Sequence, residues 1–261
     1  MNMLSIDLQQ VSLSYPARNK RTEVLKDIQL RVTEGEFISV LGPSGCGKTS
    51  LLRLIAGYER PTSGEVHIFG RKHTEPNADV GVVFQHANLF PWLNVRSNVE
   101  FGLVMRGLSK AERRAAAAYH IEQVGLTPYA SMLPYQLSGG MKQRTAIARS
   151  LVMDPRLILM DEPFAALDAI TREGLQAQLR SIWLRTGKTI FFITHDVDEA
   201  LLLSSRILVM NGSSESGIML DFNNPLHSGT EASLSQGFSH IRKHHDYAEL
   251  RESLVQALRV L

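Results

Sequence analysis

Nowhere does this chain hold the run of about 18 apolar residues that a bilayer-spanning helix needs, so any membrane role would be peripheral. It has one cysteine, Cys46, which excludes an internal disulfide and makes a reducing cytoplasm the natural setting. Strong charge of one sign is also missing. Lys and Arg number 28 against 26 Asp and Glu, and a net charge of +2 gives no field suited to nucleic acid. Met1 to Gln10 lacks the basic-then-apolar pattern of a secretory leader, so none is expected there. No internal repeat and no low-complexity tract longer than Ala115 to Ala118 stands out, which points to one copy of one domain.

What is present is a globular composition, 44% hydrophobic and 21% charged, in 261 residues, enough for one α/β domain with an inserted subdomain. Phe37 to Leu41 is a short apolar run between Gly35 and Gly42 and predicts a buried strand entering a glycine loop. A helix is expected over Thr49 to Ala56, stopped at Gly57. Compact apolar blocks predict further strands at Gly81 to Phe84, Leu157 to Met160, Ile190 to Ile193 and Ile207 to Met210. Ser109 and Glu112 form a capping box that opens an alanine-rich helix ending before Gly125, within an inserted helical region of about 86–155. Leu175, Leu179, Ile182 and Trp183 share one helical face and Gly187 follows as a stop. Strand and helix in alternation imply parallel pairing. Asn211 to Gly217 predicts a turn, the pattern then weakens, and a last helix opens near Asp246 with Tyr247, Leu250, Leu254 and Leu258 facing one way.

The strongest chemical signal is Gly42, Pro43, Ser44, Gly45, Cys46, Gly47, Lys48 and Thr49, a phosphate-binding P-loop placed after a strand and before a helix. Its glycines let backbone N–H groups wrap a phosphate, the helix start adds partial positive charge, Lys48 neutralises phosphoryl oxygens, and Thr49 can ligate magnesium. Leu157 to Asp161 and Glu162 read as a buried strand ending in two carboxylates, at the strand end where such sheets place ligands. Asp161 is suited to the magnesium shell, and Glu162 to polarising or deprotonating the attacking water.

Leu137, Ser138, Gly139, Gly140, Met141 and the following Lys-Gln-Arg resemble the signature motif of ABC-type ATPases, with Met141 where that family more often has Gln. Physically the motif is a serine cap and two glycines opening a helix whose amides can bind an anion. The resemblance implies a P-loop NTPase core of the ABC ATPase type, α/β, with the helical insertion and an N-terminal antiparallel β region. It implies ATP and Mg2+ as cofactors, with Ser50 completing the P-loop contacts. It also implies that Tyr15 stacks on adenine, Gln85 senses magnesium and the attacking water, and His195 donates to the γ-phosphate. The 137–141 segment and Asp168 would act in trans, on ATP held by the other copy of a head-to-tail homodimer. The catalytic set is then Glu162, His195, Gln85 and Lys48, and the metal set Thr49, Gln85 and Asp161.

One cassette without long heptads or paired cysteines favours an importer subunit over the alternative, a soluble ABC ATPase acting on ribosomes or DNA. The stretch Val83 to Val99, with Pro91 and Trp92, resembles the nitrate, sulfonate and taurine group of importer ATPases. That resemblance implies a bacterial importer of a small anion, with two transmembrane permease subunits, an extracytoplasmic solute-binding protein, and a place on the cytoplasmic face of the inner membrane. Trp92 either packs within the helical region or, by the same resemblance, docks a short helix of the membrane subunit. Residues 1–220 are expected to form the ATPase domain and 221–261 a short appendage. His240, His244 and His245 are expected to be surface residues, since neither cysteine nor a clear carboxylate partner accompanies them. Alkylation of Cys46 is expected to block ATP binding.

Overall fold

The computed structural model describes residues 3–17, 20–211, 217–227 and 238–259. The expected turn at 211–217 falls almost wholly outside them. The chain folds as two compact units, residues 1–77 with 180–261, and residues 78–179.

The first unit opens with two long strands, β1 (Leu4–Ala17) and β2 (Lys20–Thr33), followed by β3 (Phe37–Leu41), α1 (Lys48–Ile55), β4 (Ser63–Ile68) and β5 (Arg71–Lys72). In β1, Ile6, Leu8, Val11 and Leu13 are buried and opposed by Leu25, Ile28, Leu30 and Val32 of β2. The buried apolar positions alternate with half-buried or exposed polar ones, shifted by a register irregularity between Leu8 and Val11. Strand order in this sheet is β2-β1-β4-β5.

The second unit comprises β6 (Val80–Val83), α2 (Val95–Met105), α3 (Lys110–Gln123), α4 (Gly139–Leu151), β7 (Leu157–Asp161) and the first part of α5 (Ala169–Thr186). β6 and β7 pair in parallel, Val80 opposite Leu157 through Val83 opposite Met160. The capping box of α3 forms as the sequence predicts, with Glu112 N–H donating to Ser109 Oγ and Ser109 N–H to the Glu112 carboxylate. Helix α2 was not foreseen. It is capped by Asn94, whose Oδ1 accepts from Ser97 N–H at 2.8 Å. Its weak amphipathic pattern hides a buried Asn98, whose amide closes the 90–94 turn through Phe90, Leu93 and Asn94 carbonyls.

The chain then re-enters the first unit with β8 (Thr189–Ile193), α6 (Val197–Leu203), β9 (Arg206–Met210), β10 (Ile218–Asn223), α7 (Phe238–Arg242) and α8 (Tyr247–Arg259). Strand β3 lies between β8 and β9, parallel to both, and β10 runs antiparallel along β9. Every residue of β3 and β8 is buried, which is why both read as uninterrupted apolar runs. Phe37 is fully buried, with Trp183 edge-on at 5.5 Å and Phe192 at 5.9 Å. Trp183 also donates its indole N–H to Gly35 O at 2.7 Å, fixing the last turn of α5 beside the entry to β3. Two elements of the tail escape the sequence pattern. β10 crosses the expected boundary at 220, and α7 is a five-residue helix anchored by buried Phe238 and Ile241.

No helix among the described residues is long and apolar enough to cross a membrane.

Candidate functional site

The loop from Gly42 to Gly47 joins the buried end of β3 to the first turn of α1. Gly47 occupies the N-cap in the left-handed region at φ +98°, and a Cβ there would sit 2.9 Å from Val24 O. Only glycine fits, and no side chain caps the helix. The amides of the first turn are therefore presented to whatever anion the loop receives. Lys48 is 7% exposed, and its Nζ donates to Gly42 O at 2.7 Å and Pro43 O at 2.8 Å. Among the described residues, this buried ammonium is held by neutral carbonyls and a thiol sulfur at 3.8 Å, with no counter-charge in these bonds. Phosphate oxygens would supply it, so the donor set fits a nucleotide phosphate. Cys46 is buried at 2% exposure, so its sulfur is shielded from bulky reagents and the alkylation expected to block ATP binding needs the loop to open. Ser44, Gly45 and Thr49 are exposed at the mouth of the loop and Ser50 is half-buried.

Tyr15, near the end of β1, keeps its ring exposed while its hydroxyl donates to the Glu59 carboxylate, which Arg53 also contacts at 3.3 Å. Partial burial and the Glu59 bond raise the phenol above its ordinary pKa, so it remains neutral. His195 is exposed just beyond the buried end of β8, where Thr194 N–H still bonds Val40 O at 3.2 Å.

In the second unit, Asp161 is the buried last residue of β7. Glu162 follows with φ +44°, a left-handed kink that turns its side chain out of the strand direction. Gln85 Nε2 donates to Glu162 Oε2 at 3.3 Å, so the structure brings together two residues 77 apart in the chain that the sequence reading had linked only by resemblance. Ser138 caps α4, its Oγ accepting from Met141 N–H at 3.2 Å. Leu137 is buried behind the cap. The backbone passes so close to Leu167 that a Cβ on Gly140 would meet its Cδ2 at 3.0 Å. Asp168, next in the chain, accepts from Thr171 N–H at 3.0 Å, and these backbone and side-chain bonds hold its carboxyl below the usual range. It stays ionised on an exposed turn.

The contacts that α4 makes with the segment after β6 were not legible in the sequence. Gln143 of α4 donates to Phe84 O at 2.9 Å, and Arg149, two turns on, donates to Ala87 O and Asn88 O, both at 2.9 Å. The guanidinium also lies 5.8 Å above the Phe90 ring, which packs on Phe101 and Trp92. Trp92 is 72% exposed, which overturns simple packing as its explanation. With Phe101, Val104 and Met105 it forms an apolar outer face. Spacing gave no sign of these bonds because they close loops on carbonyls, which every residue type carries. Finally, the ligand atoms of His244, His245 and Asp246 lie within 4.8 Å of one another, whereas His240 stands apart. The sequence reading lacked that carboxylate, but His245 is 82% exposed and pairs with Asp246 itself, so the cluster is a solvated turn.

The family model described as ABC transporter matches residues 25–165, from β2 through the carboxylates that follow β7. The chain belongs to the ABC transporter family. Among relatives, the taurine import ATP-binding protein TauB of Pseudomonas aeruginosa is 48% identical over 210 residues, 80% of each chain. The nitrate import ATP-binding protein NrtD of Synechocystis sp. is 46% identical over 208 residues, 80% of this chain and 78% of its own. Among solved structures, the ATP-binding cassette MJ0796, a dimer in a post-hydrolysis state bound to ADP and Pi, superposes with a TM-score of 0.77 at 34% identity, covering 84% of this chain and 98% of that one. As an ABC protein the chain is an ATPase coupled to transport.

Proposed function

We propose that the chain is the ATP-hydrolysing subunit of a bacterial importer for a small anion such as taurine, an aliphatic sulfonate or nitrate. The observation that carries the reading is the uncapped, glycine-built loop around the buried Lys48, in a chain nearly half identical to taurine and nitrate import ATP-binding proteins. Those relatives support an importer over action on ribosomes or DNA.

The residues divide the work as follows. The loop from Gly42 to Ser50 holds the ATP phosphates, with Lys48 exchanging its carbonyl partners for phosphate oxygens and Tyr15 stacking on adenine. Thr49, Gln85 and Asp161 would hold Mg2+, which supplies charge neutralisation at the phosphates. Glu162, oriented by Gln85, takes the proton of the attacking water, and His195 donates to the γ-phosphate. Leu137 to Met141 and Asp168 serve ATP held by a second copy, in a head-to-tail homodimer whose closing and opening drive transport. Two permease subunits and an extracytoplasmic solute-binding protein complete the importer, and the chain sits on the cytoplasmic face of the inner membrane. The Trp92 face docks the permease.

A deletion strain grown on taurine, a longer alkanesulfonate or inorganic sulfate as sole sulfur source, and on nitrate as sole nitrogen source, tests this. Growth lost on one solute, and restored by the intact gene but not by Lys48→Ala, is the expected result. Normal growth on every source overturns the sulfonate and nitrate assignment.

A further inference from the structure

His195 sits on a short turn that the chain ties to itself. Thr194 Oγ1 donates to buried Glu199 Oε2 at 2.6 Å and accepts from Asp196 N–H at 3.0 Å. Asp196 Oδ1 accepts from the backbone N–H of Asp198 at 2.8 Å and of Glu199 at 3.2 Å, capping α6. The turn is closed as a unit, pinned at one end by β8. Its other side is held by the C-terminal helix. Asp198 Oδ1 accepts from Tyr247 Oη at 2.6 Å and from Arg251 Nε at 2.9 Å, donors that lie one helical turn apart on α8. Burial disfavours the Asp198 charge, but the Arg251 and Tyr247 bonds outweigh it and hold the carboxyl below its usual range. The grip therefore persists throughout the neutral range. Leu254 of α8 and Phe238 and Ile241 of α7 are buried, so the donors project from a packed base rather than a free tail.

We propose that Tyr247 and Arg251 are positioning residues for His195, through which the C-terminal helix sets the place of the histidine during ATP hydrolysis. This rests on the reading that His195 acts at the γ-phosphate. A hydrogen bond to a transferring phosphoryl group tolerates little displacement, and a misplacement of about 1 Å can cost about 100-fold in rate. On the same reading the P-loop and Tyr15 carry most of the nucleotide contacts, so loosening α8 falls mainly on turnover.

The test is ATP hydrolysis by the purified full-length chain carrying Tyr247→Phe with Arg251→Gln, in the natural and the His195→Ala backgrounds. Expected are a fall in kcat of about tenfold with KM for ATP unchanged, recovery when Arg251→Lys replaces Arg251→Gln, and no further fall once His195 is absent. Amide exchange at residues 194–198 rises in the double variant. Unchanged kcat, unchanged exchange at that turn, or an equal fall in both backgrounds would each overturn the inference. Full activity of His195→Ala alone would instead sink the role given to the histidine, and the inference with it.

Discussion

Trp92→Ala separates docking from folding with one substitution. The side chain is 72% exposed, and a tryptophan offers about 250 Å2, so about 180 Å2 of indole stands free for a partner to cover. At about 25 cal/mol per Å2 the ceiling on its contribution is ~4.5 kcal/mol, which the costs of association reduce. A buried aromatic anchor typically retains at least ~2 kcal/mol, or a dissociation constant raised about 30-fold. Folding should barely respond. The indole touches Phe90 at 5.7 Å and little of its surface is buried, so the loss stays within about 0.5 kcal/mol. The assay is binding of the tagged chain, natural or variant, to the membrane subunit that co-purifies with it, alongside a urea unfolding curve and ATP binding. A dissociation constant within about twofold of the natural chain would refute the reasoning, since no other observation makes that face an anchor.

Three other outcomes are expected. Glu162→Gln should retain ATP binding and lose at least about 100-fold in phosphate release, and a variant keeping more than about a tenth of the rate would remove Glu162 as the base. His227 lies edge-on to the Trp183 ring at 6.2 Å, and burial, then the Arg180 charge, pushes its pKa down to about 4. Because the folded value lies below the unfolded one, near 6.5, the stability this neutral imidazole carries is complete above pH 6.5 and is lost as pH falls toward 4, by up to about 3 kcal/mol. His227→Gln should flatten that limb of a urea midpoint against pH plot, and an unchanged slope would refute the assignment. Trp183→Phe keeps the ring against Phe37 but removes the donor to Gly35 O, and should cost about 1–2 kcal/mol in unfolding free energy, while a midpoint shift of less than about 1 °C would contradict it.

The fully buried strands were legible because burial on both faces forces short apolar runs. Phe37 to Leu41 has the predicted bounds, and the Leu157, Ile190 and Ile207 strands gain one residue at one end. The Gly81 strand slid by one residue, since Phe84 leaves the ladder to offer its carbonyl to Gln143. Helix α2 was lost because its cap is Asn94 rather than the Ser-x-x-Glu box that marked α3. The chemistry of the P-loop and the carboxylates was legible from residue type and place, whereas the bond between Gln85 and Glu162 required the kink at Glu162, which no local pattern announces. The tail was least legible. Its hold on Asp198 joins residues about 50 apart, and a Tyr and an Arg on a polar helix carry no signature.

Helix α4 carries three attachments on one rod. Its first turn is the Ser138 cap, its middle holds the Phe84 carbonyl through Gln143, and its last turn clasps Ala87 and Asn88 through Arg149. At 1.5 Å per residue these span about 16 Å, with no break in the helix. The segment that follows β6 is thus geared to the signature rather than merely near it. The Phe90 and Trp92 rings at one end and the Ser138 cap at the other are thereby joined through one unbroken helix, with the Arg149 guanidinium over Phe90 as the joint.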